Sequence, residues 1–240
     1  MRATFTTALG KRENNEDAWL VDKTRGVFAV ADGLGGHDGG EEAAQIAVCV
    51  VLRTFEAASA SAPVEPTLVG AVAEANRIIG VMGRKIRKPE MGSTIVALAF
   101  EPAAGPKRPR EKAVVAWVGD SRCYRLRDGQ LEQLSKDHSH VAFLLETGRI
   151  QPEEAATHPA RGQLLRTLGE HGVVTADTRV LDVKRRDVFL LCSDGLTDAL
   201  GTDVIAEVLL ARGNAQALVD RALALEREEQ DNLTAIVVRL

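Results

Sequence analysis

The sequence predicts an α+β fold, in which buried strands and long helices occupy separate stretches of the chain. Three apolar runs that each end at an aspartate (FAVAD, AWVGD and FLLCSD) are typical of buried strands. Two long stretches, 41–58 and 67–87, have helical character. With 240 residues, 45% of them hydrophobic, the chain can bury a substantial core, and we expect a single domain over 1–240.

The first part of the chain predicts two strands followed by two helices. Apolar residues on either side of a charged turn at 22–25 predict a strand pair, whose second strand is expected to stop at Asp32. A glycine-rich stretch at 33–40 follows. The next helix has acidic residues in its first turn, which favours the positive end of the helix dipole. A loop of small residues and proline at 59–66 separates it from the second helix.

The second part returns to strands and ends with a helix and a strand. STIVALAF and AVVAWVGD predict two strands, and Asp128 with Gly129, between alternating residues, predicts a hairpin. Residues 138–169 mix short helical pieces with proline and glycine, which indicates a lid or an insertion. A buried strand ending in an acidic turn follows. We then expect a helical region over 202–226 and a last strand, LTAIVVRL.

Composition excludes several classes of function. The formal net charge of −4 gives no reason to expect binding to nucleic acid or to an anionic membrane. Cys49, Cys123 and Cys192 lie in apolar runs, where a thiol usually packs as a small hydrophobic group, so no disulfide framework is expected. No run approaches the ~20 apolar residues that span a bilayer. We therefore expect a cytoplasmic monomer without nucleic-acid or membrane partners.

Five aspartates near the ends of predicted elements are candidates for a metal site: Asp32, Asp120, Asp194, Asp198 and Asp231. Strand ends can be brought close together, and converged carboxylates repel each other unless a cation neutralises them. Oxygen ligands favour hard ions such as Mg²⁺ or Mn²⁺ over Zn²⁺. Each aspartate also has a plain alternative, since an Asp-Gly turn, a helix cap or a residue before a strand needs no metal.

A dense polar string, RENNED, precedes the first predicted strand. It is either an exposed, solvated segment or part of the site. In the second case Arg12 suits a phosphate, and Glu16 and Asp17 suit outer-sphere positions near metal-bound water.

Seven motifs together carry a family resemblance: RENNEDA, VADGLGGHDGG, GSTIVAL, WVGDSRCYRL, LSKDHSHV, LLCSDGLTD and DNLTAIVV. In this order they closely resemble the type 2C metal-dependent serine/threonine protein phosphatases, particularly compact bacterial members, over 12–240. The resemblance implies a four-layer αββα sandwich, with two central antiparallel sheets and the metal centre at one end. It also implies hydrolysis of phosphoserine and phosphothreonine by a metal-activated bridging water, in opposition to a bacterial serine/threonine kinase. The expected partners are phosphorylated proteins, including such a kinase and its substrates.

The resemblance assigns ligands for two core ions, Mn²⁺ or Mg²⁺, and for a weaker third ion. Asp32 matches the ligand that bridges the core ions, and the Gly33 carbonyl contributes to one of them. Asp194 and Asp231 match ligands of the other core ion. The third site matches three aspartates, namely Asp120, Asp194 and Asp198.

The resemblance also assigns catalytic roles. Arg12 matches the arginine that holds the substrate phosphate, and Asp17 matches an acid that orients the attacking water. Leu34 stands where eukaryotic members have a histidine that protonates the leaving group. Proton delivery is therefore unassigned, and His37 is a weak candidate because a histidine beside a glycine-rich turn more often serves local hydrogen bonding.

The family's flap corresponds to 138–168. His138 and His140 lie at its entrance and are not expected to bind zinc. Arg161 and Arg166 could contact an acidic phosphopeptide, although exposed loop arginines usually have no such role. Two other functions stay open. The first is a catalytically silent relative that keeps the fold as a binding module, but every metal-ligand position is acidic, which is evidence against it. The second is a two-metal nuclease, for which a basic groove would be expected.

Overall fold

The structure is a computed structural model that describes residues 1–34, 38–102, 110–155, 157–170 and 172–240. Within these ranges the strands are β1 (Arg2–Ala8), β2 (Asp17–Asp22), β3 (Val27–Leu34), β4 (Gly92–Ser93), β5 (Ile95–Phe100), β6 (Lys112–Val118), β7 (Arg122–Arg127), β8 (Gln130–Gln133), β9 (Asp177–Asp182), β10 (Val188–Cys192) and β11 (Leu233–Arg239). The helices in the same ranges are α1 (Asp38–Ala57), α2 (Val64–Lys85), α3 (His140–Glu146), α4 (Pro152–Ala155), α5 (Asp194–Ala199), α6 (Thr202–Leu210) and α7 (Ala215–Leu223).

The strands form two antiparallel sheets. One sheet has the strand order β1-β11-β10-β7-β8, and the other has the order β2-β3-β5-β6-β9, with β4 also paired to β3. The predicted hairpin joins β7 to β8, and both of its turn residues, Asp128 and Gly129, have positive φ. That conformation suits an Asp-Gly turn because its twist matches the twist of the strands.

Alternation along the strands separates three layers of core. In β3, Ala29 and Ala31 pack in the layer that contains α1 and α2, whereas Phe28 and Val30 pack between the two sheets. Leu190 belongs to a third layer, in which β10 and β11 pack with α5, α6 and α7. The predicted αββα sandwich is therefore confirmed.

Two strands were missed by the sequence prediction. β1 (RATFTTA) and β9 (DTRVLD) each lie at the edge of a sheet and carry mostly partly buried or exposed residues. An edge strand with polar outward positions lacks the apolar run on which the prediction depended.

Three sequence expectations were wrong in detail. The helical region expected over 202–226 is divided into α6 and α7, because Arg212 has a φ of 61° and the Asn214 side chain caps α7. The second strand does not stop at Asp32, since β3 continues to Leu34 by pairing with β4. Cys49 is exposed, whereas Cys123 and Cys192 are buried as expected.

Candidate active site

The candidate aspartates lie at one end of the sandwich. Asp17 opens β2 and stands directly opposite Asp32 in the β2–β3 pairing. Asp194 follows β10 as the first residue of α5, and Asp231 lies two residues before β11. Because β10 and β11 are antiparallel neighbours, the end of one and the start of the other meet at the same edge. Asp120 follows β6, whose end meets the start of β5 beside Asp32.

Asp32 and Asp194 bring the two sheets into contact through their carboxyl groups. The two carboxyl groups lie close enough to perturb each other's pKa. Burial, followed by the charge of Asp194, raises the pKa of Asp32 well above its usual range. Burial, followed by the charge of Asp198, raises the pKa of Asp194 to about 6. Negative charge is thus concentrated where solvation is poor.

Two further carboxyl groups add to this concentration. Burial, with the charge of Asp194, raises the pKa of Asp120 to about 8. Burial raises the pKa of Asp17 to about 7, although a hydrogen bond from the Ser193 hydroxyl to Asp17 Oδ2 opposes the shift. A group of carboxyl groups with raised pKa values favours a cation among them.

Two arginines form ion pairs with the other two predicted aspartate ligands, Asp231 and Asp198. Arg12 donates to Asp231 Oδ2 at 2.6 Å, and Arg161 from the flap pairs with Asp198 Oδ1 at 2.6 Å. The Arg12 side chain, which was expected to hold a substrate phosphate, is 60% exposed. In this structure both guanidinium groups therefore supply positive charge to carboxylates assigned to metal.

The oxygen donors fit a hard cation, although the carboxyl groups do not surround a single point in this structure. Across the described residues, no group of three or more His, Cys, Asp or Glu side chains lies at metal-binding separation. However, Asp17 Oδ1 and Asp194 Oδ1 are buried without a hydrogen-bond partner. Buried carboxylate oxygens without a donor are costly, and a cation would satisfy them. Carboxylates with the Gly33 carbonyl form an all-oxygen set that suits Mn²⁺ or Mg²⁺.

Gly33 allows a close approach that the site requires. A Cβ at this position would collide with the Gly40 carbonyl, and a Cβ at Gly40 would collide with the Glu16 carboxylate. Glycine at both positions lets the end of β3, the start of α1 and the loop before β2 pack together. Leu34, which replaces the eukaryotic histidine, is partly buried beside Asp32, and His37 lies outside the described residues.

Sequence reasoning missed the polar residue that fixes the Arg12 loop. Asn232 is buried, donates its amide to the carbonyls of Leu9 and Asn14, and accepts from the Glu16 N–H through Oδ1. Those partners are more than 200 residues away in sequence, so only its place beside Asp231 in the DNLTAIVV motif could have drawn attention to it.

The flap side chains have structural partners. His138 is buried and accepts from the Gly119 N–H through Nδ1, while its Nε2 lies 3.3 Å from Asp177. Arg166 also donates to Asp177. His138 Nδ1 is therefore occupied by a backbone hydrogen bond. Of the two candidate flap arginines, only Arg161 faces the acidic end.

A cleft opens at this end of the sandwich in two adjoining parts of about 970 and 610 Å³. Both parts are lined by Arg12, Asp194, Asp231 and the flap residue Gly162. Asp120 and Asp198 line the larger part, and Asp32 lines the smaller. The carboxyl groups and Arg12 are therefore accessible to a ligand that enters beside the flap.

Comparison with known proteins identifies the family. Residues 6–235 match the model of the family described as Protein phosphatase 2C. The chain belongs to this family. The serine/threonine phosphatase Stp of Listeria welshimeri is 33% identical over 248 residues, which cover 99% of this chain and 95% of that protein. The protein phosphatase PstP of Mycobacterium tuberculosis is 36% identical over 230 residues, which cover 94% of this chain and 42% of PstP.

Solved structures of protein phosphatase 2C members share the fold. The crystal structure of the Mycobacterium tuberculosis phosphatase PstP has a TM-score of 0.88 at 32% identity, covering 100% of this chain and 98% of that chain. A crystal structure of the PstP catalytic domain in complex with two manganese ions has a TM-score of 0.85 at 32% identity, covering 98% and 96%. The predicted family and fold are thus confirmed.

Proposed function

We propose that the acidic end of the sandwich is the catalytic centre at which this serine/threonine protein phosphatase hydrolyses phosphoserine and phosphothreonine with Mn²⁺ or Mg²⁺. The observation that carries the proposal is the buried juxtaposition of the Asp32 and Asp194 carboxyl groups, which come from different sheets and whose pKa values are raised chiefly by burial. In a chain of the protein phosphatase 2C family, such a juxtaposition supports a metal centre. A relative in this family has been crystallised with two manganese ions.

The proposed ligands are those that the family resemblance assigns, and they lie at the same end of the sandwich. Asp32 would be shared by two core ions, the Gly33 carbonyl would contribute to one, and Asp194 and Asp231 would hold the other. Asp120 and Asp198, with Asp194, would hold a weaker third ion. When bound, these ions lower the pKa of the attacking water and stabilise charge on the phosphoryl oxygens.

Two residues of the chain act directly on the reactants in this proposal. The exposed Arg12 guanidinium exchanges Asp231 for the substrate phosphate, to which it can donate two parallel hydrogen bonds. Asp17 has its Oδ2 fixed by the Ser193 hydroxyl, and its Oδ1 is free of hydrogen-bond partners. Its Oδ1 is therefore the atom that accepts a hydrogen bond from the attacking water and orients it.

The test is metal-dependent hydrolysis of a phosphothreonine peptide by wild type, Asp194→Asn and Asp231→Asn. Both variants should lose activity by roughly 100-fold or more, because metal ions contribute several kcal/mol and each 1.36 kcal/mol is about tenfold in rate. Asp128→Asn is the matched control, since this turn residue lies in the β7–β8 hairpin and asparagine tolerates positive φ. Full turnover in excess chelator, or no turnover with any metal, would contradict the proposal.

The substrates are phosphoproteins, and we infer that they include a serine/threonine kinase and its targets. We also infer that the chain acts as a cytoplasmic monomer.

Of the helices described, none combines the length and apolar character that crossing a membrane requires. Light scattering after gel filtration should give the mass of one chain, 25.8 kDa. Incubation with an autophosphorylated bacterial kinase should remove its phosphothreonine, and a dimer or an untouched kinase would refute the corresponding inference.

A further inference from the structure

Thr94 lies in a break between two strands that both pair with β3. β4 ends at Ser93 and β5 begins at Ile95, so the regular pairing is interrupted beside Asp32. Ser93 and Thr94 are 0% and 1% exposed. Hydroxyl groups this deeply buried need hydrogen-bond partners, and both of these bond the backbone of Asp32.

The hydroxyl of Thr94 replaces a backbone acceptor at this break. Thr94 Oγ1 accepts from the Asp32 N–H at 3.0 Å, while the Thr94 N–H donates to the Asp32 carbonyl at 2.8 Å. Ser93 Oγ lies 2.9 Å from the same carbonyl and 2.7 Å from the Thr94 carbonyl, so its proton is shared between two acceptors. The backbone on both sides of the Asp32 side chain is thus held by Ser93 and Thr94.

The same side chain also contacts the segment that carries Asp120. Thr94 Oγ1 lies 2.7 Å from Ser121 Oγ, and Ser121 is 1% exposed. Gly119 has a φ of 100°, and a Cβ there would lie 2.6 Å from both Cβ and Cγ2 of Thr94. Thr94 therefore bonds the residue after Asp120 and packs against the residue before it.

We propose that Thr94 is a positioning residue that fixes the orientation of Asp32 relative to Asp120, with Ser93 and Ser121 as its partners. The inference rests on the proposed function, in which both aspartates bind metal. Thr94 does not touch the substrate, and its effect passes through the backbone of the ligands. Groups that orient a metal ligand typically contribute about 10–100-fold to metal affinity.

The experiment measures Mn²⁺ binding by calorimetry in the absence of substrate. Thr94→Val keeps the shape of the side chain but leaves the Asp32 N–H without its acceptor, so Mn²⁺ affinity should fall by roughly tenfold or more. Thr94→Ser keeps the hydroxyl and should retain most of the affinity. Ser121→Ala keeps the bond to the Asp32 N–H and should have an intermediate effect. Thr54→Val, which removes a hydroxyl bonded within α1, is the control and should bind as wild type does.

Two further readouts separate positioning from general damage. Thermal unfolding in chelator should show that each variant still folds cooperatively. At saturating Mn²⁺, Thr94→Val should keep the wild-type KM for a phosphothreonine peptide and lose kcat, because Arg12 is untouched. If Thr94→Val does not fold, Ser121→Ala decides the question by its Mn²⁺ affinity.

The outcomes distinguish this inference from the function on which it rests. Wild-type protein that binds no Mn²⁺ would overturn both. Wild-type protein that binds Mn²⁺, with Thr94→Val and Ser121→Ala binding equally tightly, would overturn the positioning role alone. An equal loss of affinity in Thr54→Val would also overturn it.

Discussion

The Arg12 guanidinium is held on Asp231 in a geometry that a substrate phosphate can take over, because its side chain is 60% exposed at the mouth of the cleft. Arg12→Ala should raise KM for a phosphothreonine peptide by roughly 10–100-fold, since a hydrogen bond to a charged group contributes about 1.5–3 kcal/mol. Steady-state kinetics at saturating Mn²⁺ would measure it. Arg77→Ala is the control, because the Arg77–Glu74 ion pair on α2 is similarly exposed. An unchanged KM would refute the phosphate-binding role.

Asn232 supports Arg12 indirectly, through the loop that carries it. Asn232→Ala removes three part-buried hydrogen bonds, so the free energy of unfolding should fall by roughly 1–3 kcal/mol. KM should also rise, because Arg12 is less well placed. Asn214→Ala removes the cap of α7 and should cost about 1 kcal/mol without changing KM. Equal kinetic effects of the two variants would show that Asn232 has only a structural role.

These contacts show what the sequence could predict at the scale of residues. Asp32, Asp120 and Asp194 were predicted to converge because each follows an apolar strand, and strand ends meet at a sheet edge. The pairing of Arg12 with Asp231 joins residues 219 apart, and the Thr94–Asp32 bonds depend on a break in a strand. No local pattern encodes such partners, because they are set by how the two sheets pack.

At the scale of elements, the flap (138–168) has its ends anchored beside the predicted ligands. His138 exchanges hydrogen bonds with Gly119, which precedes Asp120, and Leu168 pairs with Ser93, which bonds the Asp32 carbonyl. The sequence predicted this segment as a lid or an insertion from its weak periodicity, but most of these anchors are made by backbone groups, which any residue carries. Its approximate bounds could therefore be predicted, whereas its anchoring contacts could not.

The middle of the flap contacts α5 through Arg161 and Asp198. Arg161→Gln removes this ion pair, so backbone amides around residue 161, here called the flap tip, should exchange hydrogen faster. Hydrogen exchange of metal-free protein, followed by mass spectrometry, would measure this. Stability should change little, because an exposed pair contributes at most about 1 kcal/mol. Arg149→Gln, which alters a flap arginine over the Phe143 ring, should leave exchange at the tip unchanged. Equal exchange in Arg161→Gln and wild type would show that the pair does not hold the flap.

For the whole molecule, the raised pKa values make stability depend on pH in a definite direction. In the metal-free fold Asp194, Asp17 and Asp120 have pKa values raised to about 6, 7 and 8, whereas unfolded aspartates titrate near about 4. Between these limits the folded chain binds more protons than the unfolded chain. The free energy of unfolding should therefore fall as pH rises from about 4 to 8. Carboxylates with lowered pKa, such as Asp177, act in the opposite direction only below about pH 4.

Chemical denaturation in chelator at pH 5, 6, 7 and 8 would measure this dependence. Asp120→Asn cannot ionise, so its stability should fall less steeply than that of wild type, by up to about 1.4 kcal/mol per pH unit. Asp128→Asn should keep the wild-type slope. Mn²⁺ binds ionised carboxylates and displaces their protons, so saturating Mn²⁺ should stabilise the fold more at pH 8 than at pH 6. Equal slopes of unfolding free energy against pH for Asp120→Asn and wild type would mean that Asp120 is ionised in the metal-free fold. A cation would then stabilise the cluster less than the burial of its carboxyl groups implies.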